Sequence, residues 1–140
     1  MFSLKKLAGG QEEKGLVPLN NVAVTEGDVS GGASGYADHA YATIYTSTII
    51  GVIQQTVDNS GGSPGDKSVL IEMSPLAQYV ADTTSTMSQS LCWTNVTLDS
   101  ASTVDENDPV GTYAGIIKLR AVVSTSKALV SLNFASPTNT

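Results

Sequence analysis

Lysine and arginine are almost missing from the middle of this chain. Between Gly15 and Ile117 there is only Lys67; Lys5, Lys6, Lys14, Lys118, Arg120 and Lys127 stand toward the ends. Nucleic-acid phosphates and anionic lipid surfaces are held by such side chains, so the sequence argues against a nucleic-acid partner and against a membrane partner. Histidine occurs once, as His39, and cysteine once, as Cys92. A single cysteine excludes an intramolecular disulfide, and the pair falls short of the several nitrogen or sulfur ligands a zinc-type site needs. No apolar run reaches the roughly 18 residues of a membrane-spanning helix. After Lys5 and Lys6 no continuous apolar stretch follows, so the N-terminal segment is not expected to act as a secretory signal.

What the chain has instead is acid, hydroxyl and small apolar side chains. Thirteen Asp and Glu against seven Lys and Arg leave a net charge of −6 over 140 residues. Most of the acids, from Glu26 to Asp108, stand in the lysine-poor middle among Ser, Thr, Gly, Val and Ala. The length fits one domain, and an apolar fraction of 41% is enough for a core. An acidic β-rich body with basic residues at its ends suits attachment to a larger assembly. An enzyme needs a denser constellation of reactive groups.

Residues 1–20 read as an N-terminal arm. Phe2, Leu4 and Leu7 form a short apolar pattern that Gly9-Gly10 breaks, and Pro18 with Asn20-Asn21 marks a turn. So short a segment does not bury itself; it frays or orders on a partner. Residues 21–135 read as a β domain and 136–140 as a loose tail. Within the domain, residues 30–35 look like a Gly/Ser loop and 41–46 like a strand. Ile49-Ile50-Gly51-Val52-Ile53 is an apolar strand in which Gly51 marks a bulge or a close backbone approach. Residues 58–66 carry the strongest turn signal of the chain. Residues 67–74 alternate, with Val69, Ile71 and Met73 on one side, and 76–81 resume an extended pattern. Residues 82–90 are a loop or a short capped helix. Residues 91–98 read as a strand with Leu91, Trp93 or Val96 in the core, and 99–111 as an acidic loop. Two closing strands, 114–124 and 128–134, meet in a hairpin through Ser124-Thr125-Ser126-Lys127. The sum is an all-β barrel or sandwich.

The chemistry is sparse. His39 stands beside Asp38 in a serine-rich chain, but a triad is defined by geometry and there is no Gly-x-Ser-x-Gly elbow. His39 therefore reads as a surface or interface histidine. No catalytic residue, cofactor or metal is assigned, and the chain is not expected to be an enzyme. Asp105-Glu106-Asn107-Asp108 lacks the spacing of a calcium loop and reads as a solvated turn. The Gly-rich segments at 31–35 and 61–65 carry no Gly-Lys-Ser/Thr and do not form a phosphate cradle. Cys92, between Leu91 and Trp93, reads as a small buried hydrophobe. Tyr36, Tyr41 and Tyr45 cluster as candidates for an oligomer interface, because tyrosine suits half-wet surfaces; a place in the core is the alternative.

Several segments fall in a recognisable order. Val24-Thr25-Glu26-Gly27-Asp28-Val29 precedes a Gly-rich turn, and Ile49-Ile50-Gly51-Val52-Ile53 follows. Pro64-Gly65-Asp66-Lys67 leads into Val69-Leu70-Ile71, Ser74-Pro75 leads to Tyr79, and a strand pair closes the chain at 116–123 and 129–134. Over residues 22–134 this order resembles the small decoration, or capsid cement, proteins of tailed bacteriophages and related viruses. The resemblance implies a compact β-barrel-like or β-tulip domain on the outer capsid surface of the virion, made in the host cytoplasm. It implies a homotrimer, or a dimer, that clamps neighbouring major capsid proteins against internal DNA pressure. By position, residues 1–20 match the arm that lies along the shell in that family. Phe2, Leu4 and Leu7 would then dock on the capsid while Lys5 and Lys6 meet its acidic residues. On that expectation, deleting residues 1–15 abolishes capsid binding and leaves the fold intact. The rival readings are a tail, fibre or other minor virion component, and a carbohydrate-binding β-sandwich module. The latter needs an exposed aromatic platform, which a core Trp93 would not provide.

Overall fold

The computed structural model describes residues 2–7, 14–39, 48–74, 77–109 and 117–132. Among them the strands are β1 (Ser3–Leu7), β2 (Lys14–Pro18), β3 (Ala23–Val24), β4 (Val29–Ala33), β5 (Tyr36–His39), β6 (Thr48–Ile53), β7 (Val57–Asp58), β8 (Ser68–Glu72), β9 (Ala77–Thr83), β10 (Asn95–Ser100), β11 (Thr103–Pro109), β12 (Ile117–Ser124) and β13 (Lys127–Leu132). One turn of 3-10 helix lies at Gln89–Leu91. The fold is all-β, as the composition predicts. No helix among the described residues is long and apolar enough to cross a membrane.

Five strands close on themselves in the order β9-β11-β10-β12-β13 and back to β9. Closure leaves these strands few free edges. β9 runs antiparallel to β13, from Lys127 opposite Asp82 to Ser131 opposite Gln78. On its other edge it is parallel to β11 at Thr103 and Val104. β1 shares that second edge, pairing Ser3 with Val80 and Leu7 with Ala77. Period-2 alternation sends Ala77, Tyr79 and Ala81, Ile117 and Leu119, and Ala128 and Val130 inward. Val96, Leu98, Val104 and Phe2 join them in one core.

A second sheet of order β2-β8-β6-β4-β5 lies beside the barrel, with the short pair β3-β7. Leu19, Val24, Ala37, Ile53, Val69 and Ile71 form its own core. β6 serves both cores. Ile49 and Val52 pack with the barrel residues, and Ile50 and Ile53 with the second cluster. A strand buried on both faces has no polar side, which is why this segment reads as an unbroken apolar run. The register against β4 shifts between Ser30 and Gly31, so β6 carries a bulge. A Cβ at Gly51 would stand 2.0 Å from the Glu72 carbonyl oxygen. The bulge and the close approach expected at Gly51 are both present.

Other expectations give way. The segment read as an arm is strand: β1 lies on β9, β2 lies on β8, and Phe2 is 1% exposed with its ring edge-on to Tyr79 at 6.2 Å. A free strand edge on β9 and an apolar space beside Tyr79 supply what a short segment cannot supply for itself. The Gly/Ser loop at 30–35 is a hairpin. Ala33 faces Tyr36 across Ser34 (φ 53°) and Gly35 (φ 87°), two left-handed residues that make a primed two-residue turn. The acidic loop at 99–111 contains β11, and the strand expected from 91 begins only at Asn95. The β12–β13 hairpin closes across Thr125-Ser126 as read from the sequence, with Lys127 paired to Asp82 at its end. Residues 41–46 and 136–140 lie outside the described residues.

Candidate functional site

After β9 the chain crosses the barrel end and turns at Gln89–Leu91. Leu91 and Cys92 anchor this turn against the barrel core, Cys92 as the small buried hydrophobe expected. The Thr94 hydroxyl donates to the Leu91 carbonyl at 2.6 Å. The Trp93 N–H reaches the Leu119 carbonyl at 2.7 Å, and the Leu119 N–H reaches the Thr94 carbonyl at 3.0 Å. Reaching β12 in this way puts Trp93 at φ 72°. That region costs an L-residue about 1–2 kcal/mol and is an outlier for a bulky side chain. The indole does not enter the core; it is 63% exposed. The sequence misplaced it because apolar neighbours on both sides implied a strand, whereas a turn reverses its direction.

Arg120 stands over that indole, 5.9 Å from the ring centroid to the guanidinium carbon. On β12 the pairing with β13 jumps from Leu119 to Ala121, so Arg120 is the extra residue of a bulge. Bulges re-aim side chains. The Arg120 Nε–H donates to Ser131 Oγ at 2.9 Å. A guanidinium over an exposed indole contributes about 0.5–1 kcal/mol. Val122 and Val123, farther along β12, are also exposed.

The buried acids are occupied with the fold. Glu106 is 1% exposed on β11 and is not the solvated turn residue expected. It accepts from the Ser85 N–H at 3.1 Å, from Asn107 Nδ2 at 2.8 Å, and from the Ser85 and Thr84 hydroxyls. Burial pushes its pKa up, but the donors from Ser85, its own backbone and Thr84 outweigh it and hold the carboxyl below its usual value. The cluster ties residues 84–85 to β11. Glu72 is also buried, and its Oε2 accepts the Ser74 N–H at 3.0 Å. The nearby Tyr79 hydroxyl has no hydrogen-bond partner among the described residues. Burial first, and then the negative Glu72, raise its pKa above the usual value.

A shallow depression of about 340 Å³ lies over the turn between β7 and β8, lined by Asp58, Asn59, Gly61, Gly62, Asp66 and Lys67. Its polar groups hold the turn. Asn59 Nδ2 donates to the carbonyls of Leu19, Asn20 and Ser63 at 3.0–3.2 Å. Asp66 Oδ2 accepts the Ser63 N–H at 2.9 Å, and Asp58 accepts from both donors of Ser60. Hydrogen bonds from Ser60 hold the Asp58 carboxyl below its usual pKa. This is the turn that the sequence announced, built as a rigid cap over Leu19.

The remaining candidates separate. Phe2 is internal and not available as a docking anchor. Leu4, Lys5, Lys6 and Leu7 lie on β1, in register with β9 or at its bulge. Tyr36 is half-buried at the start of β5, beside Gly65. Tyr41 and Tyr45 lie outside the described residues. His39 ends β5 in register with Ser30. No group of three or more His, Cys, Asp or Glu is placed to hold a metal among the described residues. Comparison with protein-family models, with curated proteins and with solved structures finds no match to this chain.

Proposed function

We propose that this protein is a non-enzymatic structural protein of a virion, decorating the outer surface of an icosahedral capsid and stabilising it by bridging neighbouring major capsid proteins. One observation carries the reading furthest: the buried polar side chains hold the fold, and the surface offers contacts rather than a reactive cleft. Glu106 and Asn59 are used internally. Among the described residues the exposed large apolar side chains are Leu16, Trp93, Val122 and Val123. Leu16, 70% exposed, stands on β2 at the outer edge of the five-stranded sheet. An edge strand with an exposed leucine suits pairing with a neighbour, either another copy in a homotrimer or the shell. The order of sequence features shared with capsid cement proteins supports the same reading. With Phe2 in the core, the shell contact moves off Phe2 and onto this exposed surface.

The test uses expanded heads that lack an outer protein. Heads mixed with the chain should bind it at a fixed stoichiometry and open at a higher temperature. Heads that open at the same temperature with and without it contradict the proposal.

A further inference from the structure

Trp93 stands where neither folding nor burial asks for tryptophan. Its left-handed backbone is one that glycine adopts without strain, and its exposed ring fills no core. The chain nevertheless places its single tryptophan there. An unusual backbone supporting an exposed side chain points toward a surface contact. A second irregularity, the bulge at Arg120, delivers the guanidinium to the same spot. That guanidinium is held on two sides, by the indole and by Ser131 Oγ. No carboxylate of the described residues reaches it, although the chain has thirteen acids. Lys118 lies two residues away on β12, opposite Asn95 in register, and adds a second cation and a side-chain amide.

We propose that Trp93 and Arg120 form a binding site for a carboxylate-bearing sugar, a uronic-acid or sialic-acid unit of a surface polysaccharide. The indole supplies a flat apolar surface for the C–H face of a sugar ring. The fixed guanidinium presents its remaining N–H donors to the carboxylate, a geometry that lysine does not reproduce. Asn95 and Lys118, opposite each other on β10 and β12, are the neighbouring polar residues for the hydroxyls. An acidic peptide would use the main chain instead, adding a strand to an open edge. β12 pairs with β13 as far as Ser124 but with β10 only at Ile117 and Lys118, and triglutamate tests that occupant. The inference does not depend on where the protein sits in a virion.

Because Trp93 is the only tryptophan, its fluorescence reports this site alone. The intact chain is titrated with trigalacturonic acid, with maltotriose as the neutral control and with triglutamate as the acidic peptide. The expected result is a saturable change with trigalacturonic acid and affinity about tenfold weaker for maltotriose and triglutamate. Arg120→Gln should lower the acidic sugar to the level of maltotriose, and Arg120→Lys should recover little of the loss. Trp93→Gly should melt no lower than the parent, and a fall would return Trp93 to a structural role. Equal affinity for the charged and neutral sugars, stronger binding of triglutamate, or no response to any of the three overturns the proposal.

Discussion

Glu106 is nearly solvent-free and still ionised, because Ser85, Thr84 and Asn107 direct donors at it. Its folded pKa lies below the usual 4.5. The stabilisation is therefore fully present above that value and is lost as pH falls through the folded one, where only the unfolded chain gains the proton first. Glu106→Gln should cost about 1–3 kcal/mol at neutral pH, and in acid-range melting curves it should lack part of the parent's decline. Equal stability of the two proteins at pH 7 would contradict this role. Tyr79 presents the opposite case. Its hydroxyl is buried with no partner among the described residues, and its folded pKa lies above the usual 10.0. The parent should lose stability as pH rises past that value, since the unfolded chain ionises there first. Tyr79→Phe removes the unsatisfied group and should stabilise by about 1 kcal/mol. It should also flatten the alkaline decline; denaturant midpoints on both sides of pH 10.0 measure it.

At the scale of elements, sequence and structure agree where one face or both faces of a strand are plainly apolar. β6, β8, β9 and the β12–β13 hairpin were legible for that reason, as was the turn at 58–66. They part where partners distant in sequence decide. Ser3–Leu7 has no pattern that announces a place on β9, and Thr103–Pro109 is too acidic to read as strand. Glu106 becomes tolerable inside only because Ser85 stands across from it. The candidate site was legible as residues and not as a site. Trp93 and Arg120 are far apart in the chain, and only a turn and a bulge bring them together. The recovered N-terminal strand reverses the expectation for truncation. Phe2→Ala should cost about 3–5 kcal/mol, and removal of residues 1–15 should lower the melting temperature sharply by baring β9 and Tyr79. A truncated protein that melts with the parent would restore the arm.

For the whole molecule, a closed barrel joined through β6 to a second sheet makes a body with two cores and few free edges. β1 and β2, from one N-terminal segment, enter the two different sheets and so tie them together. Such a body fits the proposed contact on a larger assembly, and a net charge of −6 favours solubility. The most direct measurement is cryo-electron microscopy of virions or expanded heads with and without the chain. Added density on the outer face of the shell, bridging neighbouring major capsid subunits, is the predicted result. Density confined to the tail, or heads identical in the two preparations, would contradict it.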